Sequence, residues 1–141
     1  MPSLLLALLF LLACRTPSSR LSPIGGAANP REAIKHFMNA VAAEDLQRLG
    51  ELWGTSEGAA RDRMDRDELE EREIVMLRCL RHDRYEILGE IPSPGGGHAF
   101  VVAVTRKEVT RRTNFVSVKG PNDRWYVRET DMNRLKDICL Q

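Results

Sequence analysis

The stretch from Ala99 to Val127 constrains the fold of this chain more than any other. Ala99-Phe100-Val101-Val102-Ala103-Val104-Thr105 is an unbroken β-favouring run, and Asn114-Phe115-Val116-Ser117-Val118 is a second. Arg124-Trp125-Tyr126-Val127-Arg128 is a third. Branched and aromatic side chains fit a pleated, half-buried surface, which favours strands here. The chain turns around Lys107-Glu108, and Lys119-Gly120-Pro121-Asn122-Asp123 is dense in turn formers. Because Phe100 to Val104 is apolar at successive positions, that strand is expected to be central and covered on both faces. In the last run, Trp125 and Val127 share one face, Tyr126 and Arg128 the other. Upstream, Tyr85-Glu86-Ile87-Leu88-Gly89-Glu90-Ile91 alternates, with Tyr85, Ile87, Gly89 and Ile91 on one face, and the mid-strand Gly89 predicts a bulge or bend. Pro92-Ser93-Pro94-Gly95-Gly96-Gly97 reads as a loop, and His98 after it as a solvated side chain.

Before this sheet the period changes to that of helices. Asn29-Pro30 is a strong helix start, since Asn caps the first turn and Pro is accepted at the first helical position. Glu32 places a carboxylate in that turn, where the helix dipole favours it. Ile34, Phe37, Met38 and Val41 then fall on one buried face. Glu44-Asp45 ends the stripe and caps a second short helix carrying Leu46, Leu49, Leu52 and Trp53, stopped by Gly54-Thr55-Ser56-Glu57-Gly58. From about Asp67 a third helix carries Leu69, Val75, Met76, Leu77 and Leu80, with Ile74 to Leu77 expected to be its most buried part. Thr130 or Asp131 caps a last short helix bearing Met132, Leu135 and Ile138.

A chain of 141 residues is room for one domain with a real core. Its formal net charge is only +1, which gives no electrostatic case for a nucleic-acid partner. The mixed-charge run from Ala59 to Glu73 reads as a solvated loop and first helical turns laced with ion pairs, with a docking face as the other reading. No Gly-rich phosphate loop or internal repeat occurs. No Ser–His–Asp or paired-carboxylate pattern can be assigned to a common site, so no catalytic residue and no cofactor is expected. His82-Asp83 offers a base beside a carboxylate, but sequence neighbours rarely face each other.

The first residues carry the most specific signal. Leu4 to Leu12 is an apolar run, shorter than the roughly 20 residues that span a bilayer. It suits the apolar centre of a signal peptide, although Met1-Pro2-Ser3 holds no Lys or Arg. Leu11-Leu12-Ala13-Cys14 resembles the bacterial lipobox, in which the Cys thiol takes the lipid and becomes the mature N-terminus. An ordinary buried segment, or a signal peptide cut elsewhere, is the alternative. The resemblance implies a signal peptide over residues 1–13, a lipidated and flexible tether over 14–29, and a domain over 30–141. It also implies a lipid-anchored protein of the bacterial cell envelope, facing the periplasm. Arg rather than Asp after Cys14 is similar to the pattern of outer-membrane sorting.

With Cys14 lipidated, Cys79 and Cys139 remain, in a compartment that permits disulfides. A bond between them would tie the tail to the helical layer; two buried thiols acting as small hydrophobes is the other outcome. Neither Cys has a Cys or His at ligand spacing, so no metal site is expected.

Helices followed by a meandering antiparallel sheet give an α+β class. The opening Pro30 to Asp45, an apolar helix ending in a small-acidic pair, resembles the start of nuclear-transport-factor-2-like (cystatin-like, SnoaL-type) domains. Gly120-Pro121-Asn122-Asp123-Arg124-Trp125-Tyr126-Val127 is similar to their last hairpin. Among these, the chain most resembles small bacterial lipoproteins of uncharacterised function. The resemblance implies a cone: three N-terminal helices packed on a curved four-stranded antiparallel sheet, with a short C-terminal helix. His36, Trp53, Tyr85 and Tyr126 could edge a pocket there; the alternatives are a surface position for His36 and core packing for Trp53 and Tyr85. The implied function is a non-catalytic domain binding a small apolar ligand or a protein partner. The alternative is an isomerase- or dehydratase-like enzyme with a polar group inside the cone. Homodimerisation through the outer sheet face is a further implied partner, signalled by exposure of Phe115, Ser117 or Tyr126.

Overall fold

The computed structural model describes residues 24–141. Helix α1, Pro30–Ala42, starts as its sequence requires: the Asn29 side chain accepts from the Glu32 N–H at 2.9 Å, and Pro30 occupies the first turn. Ile34, Phe37, Met38 and Val41 are all fully buried. Asp45 caps α2, Leu46–Leu52, by accepting from the Arg48 N–H. A two-residue hairpin follows, β1 (Gly54–Thr55) with β2 (Gly58–Ala59), where the sequence had suggested only a stop. Helix α3, Arg66–Leu80, precedes β3 (Arg84–Ser93), β4 (Gly97–Arg106), β5 (Val109–Lys119) and β6 (Trp125–Thr130). These four strands form one antiparallel meander in sequence order. Met132–Leu135 makes a 3-10 turn that runs into the short helix α4, Lys136–Cys139. The architecture is therefore α+β; among the described residues three α-helices precede the four-stranded sheet and one follows it.

The core lies between α1 and one face of the sheet. Phe100, Val102 and Val104 of β4 and Phe115 of β5 point into it, all fully buried. Phe37 meets Phe115 edge-on, ring centroids 6.1 Å apart, a favoured aromatic geometry. Leu135 and Ile138 seal the far end. The sulfurs of Cys79 in α3 and Cys139 in α4 lie at disulfide-bonding distance, with Cα atoms 4.0 Å apart.

Several expectations are corrected. Strand β4 is central, but its outer face is only half covered, because all the helices that seal the core pack on the other side: Val101 and Ala103 remain partly exposed. The bulge expected at Gly89 is present, with Ile87 opposite Val102 and Gly89 opposite Val101. The extra residue, Leu88, reverses the faces beyond it, so Ile91 turns outward and Glu90 inward opposite Phe100. Ile74 and Val75 are exposed, not the buried heart of α3. The buried stripe of that helix instead runs through Leu69, Glu73, Met76, Leu77 and Leu80, spaced at three and four, and 74–75 fall to its side.

Residues 24–29, expected to belong to a flexible tether, pack against the sheet and α2. Ala27 is fully buried and exchanges two backbone hydrogen bonds with Trp125, extending the β6 edge. Gly26 donates to the Glu51 carbonyl at 2.7 Å, and Arg124 donates to the carbonyls of Gly25 and Gly26. Gly26 sits at φ +76, and a Cβ there would lie 2.9 Å from the Trp125 oxygen, so this position requires glycine.

Candidate functional site

The four aromatic and histidine positions expected to edge a pocket do not converge. His36 lies on the solvent side of α1, its Nε2 3.3 Å from Glu32, beside a shallow depression shared with Asp45 and Arg48. Tyr85 is half-buried on β3, edge-on to His82 at 5.4 Å, and burial raises its hydroxyl pKa. Tyr126 is buried, but on the outer sheet face, where Gly25, Gly26 and Gly120 pack against its ring and its hydroxyl reaches the Gly25 carbonyl at 3.5 Å. Trp53 borders two clefts: one of about 200 Å³ with Phe37, Met76, Val127 and Met132, and one of about 380 Å³ with Met64 and Arg72. Its indole N–H points at the Arg128 carbonyl, 3.4 Å away. Phe115 and Ser117, named as indicators of a sheet dimer, face the core and are fully buried, as Tyr126 is nearly. Cys14 lies outside the described residues.

His98 is not a solvated loop residue. It sits on β4 with Nδ1 2.7 Å from the Glu90 carboxylate and its ring edge-on to Trp125 at 5.2 Å. The bulge at Leu88 makes this contact, because it turns Glu90 to the inner face. His82 and Asp83 diverge: His82 Nδ1 lies 2.8 Å from the Leu80 carbonyl, and Asp83 accepts from the Lys107 N–H. Among the described residues no group of three or more His, Cys, Asp or Glu is placed to hold a metal ion.

A roomier cleft among the described residues lies outside the sheet–helix core, between α2 and α3. It encloses about 510 Å³ and is lined by Leu46, Gln47 and Gly50 of α2, Arg61 of the turn between, and Arg66, Leu69, Glu70 and Glu73 of α3. Glu73 lines it directly, and Glu51 holds its Arg61. Glu51, nearly buried, accepts from Arg48 at 2.6 Å through one oxygen and from Arg61 through the other, so its charge is compensated on both sides. Glu73 is only 3% exposed, and its Oε1 has no hydrogen-bond partner. Burial, and then the nearby Glu70 carboxylate, push its pKa from 4.5 up to about 7.

Gly50 makes room for that carboxyl. A Cβ at this position would lie 2.6 Å from Glu73 Oε1, closer than any real contact. Glycine inside a helix is destabilising by roughly 0.5–1 kcal/mol against alanine, so helix propensity does not account for it, whereas the seat for Glu73 does. The sequence carries a signal for this: Glu73 stands four residues from both Leu69 and Leu77, on the apolar stripe of α3.

Compared with protein-family models, with curated proteins and with solved structures, the chain shows no significant match.

Proposed function

We propose that this chain is a non-catalytic binding domain of the bacterial cell envelope, of nuclear-transport-factor-2-like fold, held to the membrane by lipid on Cys14. The observation that carries the binding reading is where space lies. The inner sheet face is filled by Phe37, Phe100, Phe115, Ile34 and Met38, each at most 1% exposed, while a cleft of about 510 Å³ opens between α2 and α3. A ligand is therefore taken up between the helices and not inside the cone. The lipid anchor is supported by Leu11-Leu12-Ala13-Cys14 alone.

Two measurements test this. Native mass spectrometry of protein released gently from its membrane should show an excess mass that disappears on denaturation; bare protein in repeated preparations would overturn the small-ligand reading. Radiolabelled palmitate should enter the wild-type protein in a bacterial host and not Cys14→Ser, which should leave the membrane fraction; equal labelling of the two would remove the anchor. One observation favours a proton-transferring enzyme as second reading: Glu73, with a pKa of about 7, has the poise of a general acid or base. Incubating the recovered ligand with protein in deuterated water decides between them. Deuterium on a ligand carbon means catalysis, and an unchanged ligand means binding.

A further inference from the structure

We infer that the groove between α2 and α3 is a binding site for a small organic cation, a primary ammonium on a short apolar stem, with Glu73 as its counter-ion. This rests on the binding reading above and names the ligand chemistry of the same groove. The first ground is the orphaned oxygen. Buried polar atoms in folded proteins are nearly always hydrogen-bonded, and Glu73 Oε1 is not, although the residue is 3% exposed and borders the cleft. An ammonium brings three donors and a positive charge to a carboxylate with nothing to accept from.

The surrounding charge has the right sign. On α2, Glu51 is bound to Arg48 and Arg61, so the Arg61 guanidinium that lines the groove is already engaged. The neighbouring Asp62 lies 3.5 Å from the same guanidinium. On α3, the lining charges are Glu70 and Glu73 against Arg66. Two carboxylates against one unengaged guanidinium leave a groove that favours a cation whenever Glu73 is ionised. Leu46 and Leu69 supply apolar wall for the stem, and about 510 Å³ is within the usual size of small-molecule sites. Gly50 adds an independent structural reason, because only the absence of a Cβ lets the Glu73 carboxyl stand where it does.

The probe is n-pentylamine, with n-pentanol and pentanoate as neutral and anionic matches, titrated calorimetrically into the full-length protein. The ammonium is expected to bind at least tenfold more tightly than the alcohol. Its binding should release a proton, read as a heat that varies with the ionisation enthalpy of the buffer. If only ionised Glu73 binds, affinity should fall about tenfold from pH 8 to pH 6, since each pH unit below the pKa costs a factor of ten. Glu73→Gln should abolish both the preference for the amine and the pH dependence. Gly50→Ala, which displaces the carboxyl without removing it, should weaken the amine at least tenfold and serves if the first variant does not fold. Equal affinity for amine and alcohol, tighter binding of pentanoate, or an amine affinity unmoved in folded Glu73→Gln would each overturn the inference. A neutral or anionic ligand recovered by native mass spectrometry would also overturn it while leaving the binding function standing.

Discussion

Replacing Glu73 by glutamine should stabilise the protein at alkaline pH and do almost nothing in acid. Folding moves this carboxyl from an ordinary pKa of 4.5 to about 7, so the folded state holds the proton more tightly than the unfolded chain. The favourable state is the protonated one: stability is intact below pH 4.5, declines as the unfolded chain ionises, and is fully lost above about pH 7. An interval of about 2.5 pH units at roughly 1.4 kcal/mol each makes the ionised side chain destabilising by about 3 kcal/mol at pH 8. Glutamine keeps the shape and never ionises. Urea unfolding of wild type and Glu73→Gln at pH 8 and pH 4.5 measures the difference, and all other carboxylates cancel between the two proteins. With a slope of roughly 1.5 kcal/mol per molar, the variant midpoint should lie about 2 M higher at pH 8 and within about 0.3 M at pH 4.5. Glutamine brings two donors of its own, so the change of the gap with pH is the test. A gap independent of pH, or a variant less stable at pH 8, would refute the reasoning, because Glu73 would then be ionised and compensated.

Reducing the Cys79–Cys139 pair, or replacing both with serine, should add two hydrogens in the first case and lower stability by roughly 4 kcal/mol in both, given a separation of 60 residues. Intact mass with and without reductant, followed by chemical denaturation, checks it. Phe115→Ala should cost roughly 3–5 kcal/mol, since it empties the centre of the core opposite Phe37; a loss under about 1 kcal/mol in urea unfolding would show that the core collapses around the gap. Gly26→Ala should lower the thermal midpoint, with roughly 2 kcal/mol lost to a left-handed backbone and a clash with the Trp125 carbonyl. An unchanged midpoint would mean that residues 24–27 are not part of the folded unit.

Much of the architecture was legible because it is written locally. The cap at Asn29, the stripe of α1, the turns at Lys107–Glu108 and Asn122–Asp123, and the bulge at Gly89 depend on near neighbours in the chain. The consequence of that bulge was less legible. Inserting Leu88 reverses the faces of every residue beyond it, which put Ile91 outside and brought Glu90 to His98. In α3, the density of apolar residues from Ile74 to Leu77 does not predict burial, because spacing decides which face meets the core.

By itself, the sequence determined an α+β chain with helices before an antiparallel meander. Periods of 3.6 and 2, caps and turn residues carry that information, and each acts over a few residues. The groove was decided only by the tertiary structure. Glu73 belongs to a charged run that resembles solvated surface; its spacing from Leu69 and Leu77 gives the face it lies on, but not what meets it there. Its burial, its missing partner and its raised pKa arise because α2 presents a bare Gly50 at that point, more than twenty residues away in the chain. Burial and electrostatic environment are sums over neighbours in space, and those neighbours exist only once the helices have packed.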